Sequence, residues 1–108
     1  MQKVIDFIKC YYGEELFDIV MDHGGIFVIS EEDEQLMITM ITCKDELSKR
    51  KNKYEEFAKN NETCIVCYPT SREGDYVDIK IAKLNSTNFD TVYNEIYSSI
   101  SEEAIKAQ

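Results

Sequence analysis

Tryptophan is absent from this chain of 108 residues, and proline occurs once, histidine once and glycine four times. So little proline and glycine excludes a collagen-like or linker-rich chain. A single histidine means that any Ser-His-Asp or Cys-His pair must use His23, and no spacing fixes a partner for it. Long apolar runs are also missing. Clean ones such as Ile26-Phe27-Val28-Ile29 fall far short of the roughly 20 residues a membrane-spanning helix needs. At the N-terminus, Asp6 and Lys9 interrupt the apolar residues, so no signal peptide is expected and the expected location is cytoplasmic. Bases are scarce: 12 Lys and Arg face 21 Asp and Glu, a net charge of −9. A surface this acidic repels a phosphate backbone, which argues against general nucleic-acid binding unless charge is strongly segregated, and with no spanning segment no membrane partner is expected.

What is present is the material of one globular domain. Apolar residues make up 44% and charged residues 31% of the chain, enough to bury a core. Val4, Ile5, Ile8, Tyr11 and Tyr12 recur at three and four, which predicts a helix over residues 3–12 that stops at Gly13. Residues 14–22 fit two patterns. Phe17, Ile19 and Met21 alternate as in a strand, while Leu16, Phe17, Ile19 and Val20 also fit a helical face. Strands are predicted at 26–30, 36–43, 64–68 and 76–83, with helices at 46–59, opened by Asp45, and from about 88 onward. The segment 36–43 is apolar on both parities, so it is expected at the centre of the sheet. Val77, Ile79 and Ile81 alternate with Asp78 and Lys80, which predicts a half-exposed edge strand, and residues 69–75 are expected to form a loop. Thr87 and Asp90 have capping-box spacing before a core stripe of Phe89, Val92, Ile96, Ile100 and Ala104.

The expected architecture is α/β (α+β): a single mixed sheet of four or five strands flanked by three helices, in the order α(β)ββαββα. Residues 36–68 form its β-α-β unit, with two parallel strands and a right-handed crossover.

Four cysteines, Cys10, Cys43, Cys64 and Cys67, are expected as mostly buried thiols, with disulfides and metal binding the weaker readings. Cys64-Ile-Val-Cys67 lacks the turn a zinc knuckle needs. Its β-branched centre reads as strand, where residues three apart face opposite sides. Glu31, Glu32, Asp33 and Glu34 form a fully acidic hairpin turn. Consecutive carboxylates point in different directions, so calcium binding is not expected, and protein docking is the alternative to a solvated turn.

Charge is unevenly placed. Residues 1–43 hold nine acids against two bases, whereas Lys44, Lys49, Arg50, Lys51 and Lys53 form a local basic patch on the middle helix. That patch reads as a solvated helix face, as a site for phosphate or an acidic partner, or as the counterpart of the acidic hairpin in head-to-tail pairing. Seven tyrosines exceed what a core hides easily, since each hydroxyl wants a partner. Tyr93 and Tyr97, one turn apart, are a candidate docking face.

The stretch from Leu36 to Tyr54 resembles the second half of the PD-(D/E)xK restriction-endonuclease-like nuclease core. Leu47-Ser48, Lys51 and Tyr54 match its helix, and Cys64–Tyr68 matches the strand that follows. The resemblance covers about half the chain, and it extends to the preceding meander if residues 16–21 are extended. It implies a metal-dependent nuclease site built from an Asp and a Glu-x-Lys. Counting back from Leu47, the Glu and Lys should stand near Met40 and Thr42, and neither side chain can hold a hard cation. Asp18 and Asp22 are the upstream aspartate candidates. The family site is therefore degenerate, with no catalytic residues, no metal and no cofactor expected.

The functional expectation is a small acidic, non-enzymatic protein-binding module whose partner is a basic protein, in one form an inhibitor that mimics nucleic acid. The alternatives are a restriction-endonuclease-like nuclease or nucleic-acid-binding domain with a non-standard site, and a self-assembling structural protein, dimeric through the edge strand 76–83.

Overall fold

The computed structural model describes residues 2–60, 64–74 and 76–101. Four helices and one four-stranded sheet follow one another as α1 (Gln2–Tyr12), α2 (Glu14–Asp22), β1 (Ile26–Glu32), β2 (Gln35–Ile41), α3 (Lys44–Asn60), β3 (Cys64–Glu73), β4 (Tyr76–Lys83) and α4 (Phe89–Ser99). The class is α+β, as the sequence implies.

Residues 14–22 resolve as helix. Phe17, Val20 and Met21 are buried at intervals of three and four, and this stripe outweighs the alternation of Phe17, Ile19 and Met21. Gly13, at φ 97, separates α1 from α2. The meander condition of the nuclease resemblance is thus not met, because residues 16–21 are not extended.

The strand order is β2-β1-β3-β4. Every neighbouring pair is antiparallel, so the sheet is not mixed. β2 and β3 run the same way, as a β-α-β unit requires, but β1 lies between them and they share no ladder. This moves β2 from the expected centre to an edge. Its first three residues are exposed, and only Ile41 is fully buried. The expected edge strand β4 is indeed the other edge. β3 runs past Pro69 to Glu73, and the proline is accommodated by a register shift between Pro69 and Ser71 where a loop was expected.

The sheet separates two apolar layers. Ile8 of α1 and Phe17, Val20 and Met21 of α2 pack on Phe27, Ile29 and Cys67. On the opposite face Leu47, Tyr54 and Ala58 of α3 and Phe89, Val92, Tyr93 and Ile96 of α4 pack on Ile26, Val28, Ile41, Cys64, Val66 and Tyr68. Cys64 and Cys67 fall on opposite faces, as their spacing requires. Both are buried free thiols; Cys43 is half-buried and Cys10 exposed. Phe17 stacks on Phe27 with ring centroids 5.6 Å apart, and burying a side chain of this size contributes about 1.5–3 kcal/mol.

Two helix starts differ from expectation. α3 begins at Lys44, so Asp45 lies in its first turn rather than capping it. α4 begins at Phe89, and Asn88 accepts a hydrogen bond from the Asn85 N–H instead of capping the helix by a Thr87–Asp90 box. Ala104 lies outside the described residues.

Candidate functional site

α2 buries Phe17, Val20 and Met21, which forces Glu14, Glu15, Asp18 and Asp22 outward. Glu14, Asp18 and Asp22 stand four residues apart, so they form one stripe with a rise of about 6 Å per step. At its C-terminal end the stripe borders a cleft of about 420 Å³, where Asp18, Asp22 and His23 face Val77 and Ile79 of β4. The imidazole of His23 hydrogen bonds through Nδ1 to the Ile19 carbonyl at 2.9 Å, in the last turn of α2. It is an exposed turn histidine. Two smaller hollows adjoin it, one bordered by Pro69, Thr70 and Ser71 at the register shift within β3, the other by Thr70 together with Glu95, Ser98 and Ser99 of α4.

Carboxylates and hydroxyls stand along an otherwise apolar lining of Ile19, Met21, Val77, Ile79 and Pro69. Glu95 accepts hydrogen bonds from the Tyr68 hydroxyl at 2.6 Å and from Lys80 at 2.9 Å. Those two bonds, the tyrosine's first, hold its carboxyl below the usual carboxylate range. Burial and the bond to Glu95 in turn raise the Tyr68 phenol. Ser71 Oγ donates to Asp78 at 2.9 Å. An environment of this kind suits lysine and arginine side chains. Among the described residues, no three His, Cys, Asp or Glu side chains cluster closely enough to hold a metal ion.

The position where the nuclease resemblance would put its glutamate does not share this cleft with Asp18 and Asp22. Met40 lies in β2, at the opposite edge of the sheet from the β4 groove, and packs against the core beneath α1 and α2.

The acidic hairpin is a two-residue turn. Glu31 and Glu32 end β1, and Asp33 and Glu34 both adopt positive φ, at 52° and 65°. These are the signs of a type I′ turn. Glu31 and Glu32 point to opposite faces of the strand, so the four carboxylates do not converge. Glu32 pairs with Lys53 at 3.5 Å.

The basic patch is largely engaged within the chain. Arg50 bonds Glu46 at 2.6 Å. Lys44 sits 5.3 Å from the centre of the Tyr97 ring, and Lys51 sits 4.8 Å from that of Tyr93. Such cation–π contacts contribute about 0.5–1 kcal/mol at exposed positions. Lys49 is exposed and has no ion pair among the described residues. The guanidinium of Arg50 is raised above its ordinary value, first by the nearby Tyr54 hydroxyl, although that buried hydroxyl closes no hydrogen bond. Tyr93 is a core residue, buried under Lys51, so of the two tyrosines only Tyr97 offers its ring to a partner.

Asp18 and Asp22 stand out in the sequence as metal-binding candidates, but their alignment with Glu14 does not. The four-residue spacing was readable only once residues 14–22 were assigned as helix. The contribution of Thr70, Ser98 and Ser99 had no local signal, because it depends on the middle of β3 lying beside the end of α4.

No helix among the described residues is long and apolar enough to cross a membrane. Compared with protein-family models, curated proteins and solved structures, the chain finds no match.

Proposed function

We propose that the chain is a protein-binding module whose partner presents a basic surface. The observation that carries this reading is the segregation of charge by layer. Asp6, Glu14, Glu15, Asp18 and Asp22 are all exposed on the α1–α2 layer, which contains only Lys3 and Lys9 as bases. The bases of α3 lie on the far side of the sheet, largely engaged with Glu32, Glu46 and the tyrosines of α4. A one-signed face steers an oppositely charged partner and rejects others. A protein whose own ligand is nucleic acid has the matching groove, and the chain then acts as its inhibitor by occupying that groove.

The test is capture from an extract of the source cells on the immobilised chain at low salt, with graded salt elution and identification of what elutes. A basic protein should be retained, and its affinity should fall at least tenfold for the Glu14→Gln/Glu15→Gln/Asp18→Asn variant. Equal retention by that variant, or turnover of DNA or RNA by the purified chain with Mg²⁺ or Mn²⁺, overturns the reading.

A further inference from the structure

We propose that two copies of the chain associate edge to edge through β2, making one continuous eight-stranded sheet. This does not depend on the acidic face, which lies on α1 and α2.

The two edges of the sheet are unlike. β4 carries Asp78, Lys80 and Lys83, the charges that normally protect an edge. β2 is Gln-Leu-Met-Ile-Thr-Met-Ile and carries no charge at all. Leu36 is 55% exposed and Met37 44%.

The turn fixes which backbone groups are free. In a two-residue hairpin the closing pair, Glu32 and Gln35, is hydrogen-bonded, and pairs alternate from there. Leu36, Ile38 and Met40 therefore direct their N–H and C=O groups away from β1. The Ile38 carbonyl is the one already met, by the Tyr12 hydroxyl at 3.1 Å. A carbonyl has a second lone pair for an incoming strand.

The strand is complementary to itself. A two-fold axis at Ile38 sets Ile38 against Ile38 and Leu36 against Met40 on the α1 face, and Met37 against Thr39 on the other. In this register Lys44 favours the acidic hairpin tip of the second copy, while Asp45 and Glu46 of the same turn oppose it. The same register carries the Asp33–Glu34 tip past Ile41 of the second copy, to Lys44 and the N-terminal turn of its α3. Lys49 is also on that side. Lys49 and Lys53 are each two residues, about 200° of helix, from Lys51, whose ammonium faces α4.

The helices fit as well. α1 packs above β1 and β2, on Phe27, Ile29, Ile38 and Met40. Across the axis, two such helices lie two strand spacings apart, about 9.6 Å, and packed helices stand about 8–10 Å apart. Lys9 of α1 reaches Phe17 of α2. Phe7 and Tyr11, each two residues from Lys9, thus flank the opposite side, toward the β2 edge, and they are 40% and 68% exposed. Association covers these rings together with Leu36 and Met37.

Sedimentation equilibrium over a wide concentration range tests the proposal. The mass should rise from 12.6 kDa to twice that value. Leu36→Lys should hold it at 12.6 kDa with an unchanged circular dichroism spectrum, and Tyr76→Lys on the other edge should leave association intact. Register is tested separately. In a Cys10→Ser background, Met37→Cys combined with Thr39→Cys should oxidise to a covalent dimer, because non-hydrogen-bonded pairs bring Cα atoms to about 4.5 Å. Neither single variant should. A mass of 12.6 kDa at every concentration, association that survives Leu36→Lys, or equal cross-linking by the single variants overturns the proposal.

Discussion

The thiols of Cys64 and Cys67 show what burial does to one residue. Both lie in the middle of the molecule, one on each face of the sheet. Desolvation penalises the thiolate and pushes them up to about 11 and about 12. In the unfolded chain they ionise first, near pH 9. Folded stability from this source is therefore complete below pH 9 and is lost as the pH rises through 11 and 12. The urea midpoint should fall over that window, and less steeply in the Cys67→Ala variant once its own baseline loss is subtracted. A midpoint flat to pH 12 contradicts the assignment. At neutral pH a thiol reagent should label Cys10 rapidly and leave Cys64 and Cys67 unmodified until the chain unfolds. This much was legible in the sequence. The period of a strand alone puts residues three apart on opposite faces, and the apolar neighbours Ile65 and Val66 mark the segment as interior.

Among the elements, the link between α2 and β1 is closely enclosed. Gly24 has φ +82, and a Cβ there would stand 2.7 Å from the Ser99 carbonyl oxygen and 3.0 Å from the Ser101 nitrogen. The turn is thus pressed against the end of α4, and neither neighbour can yield as a flexible side chain would. Gly24→Ala should cost about 2–3 kcal/mol of unfolding free energy from the clash and the backbone strain together. Gly74→Ala, also at positive φ but in open space, should cost only about 1 kcal/mol. Equal losses in a denaturant titration would mean that the α4 contact contributes nothing. Sequence reasoning found a turn at Gly24 but had no way to find Ser99 across from it. β2 shows the same limit. Its residues are apolar on both parities, and a periodicity reports side-chain character without saying which strands lie alongside. The α2 ambiguity had another origin: a segment of nine residues is short enough for both periods to fit, and only packing against Phe27 selects one.

Across the whole molecule the dominant fact is a charge of −9, left least balanced in the first 43 residues, which hold only two of the twelve bases. Repulsion among exposed carboxylates opposes the compact state, and salt screens it over a length of about 8 Å at physiological ionic strength. The melting temperature should therefore rise by a few degrees between low and moderate salt. A fall would show that ion pairs such as Lys80–Glu95 outweigh the repulsion. The sequence made the asymmetry countable. Its meaning came from the layers, since only the fold puts α1 and α2 on one side of the sheet and α3 on the other.

β1 is the strand on which this architecture turns, because it pairs with β2 on one side and β3 on the other. During synthesis, β2 emerges two residues after β1 and can zip onto it at once. β3 arrives only after all of α3 has been made. Until then the nascent chain leaves the ribosome with Phe27, Val28 and Ile29 bordering an empty lane in its half-built sheet. A pause in translation within α3 would prolong that state, and chaperone capture of the emerging chain should be greatest at that point.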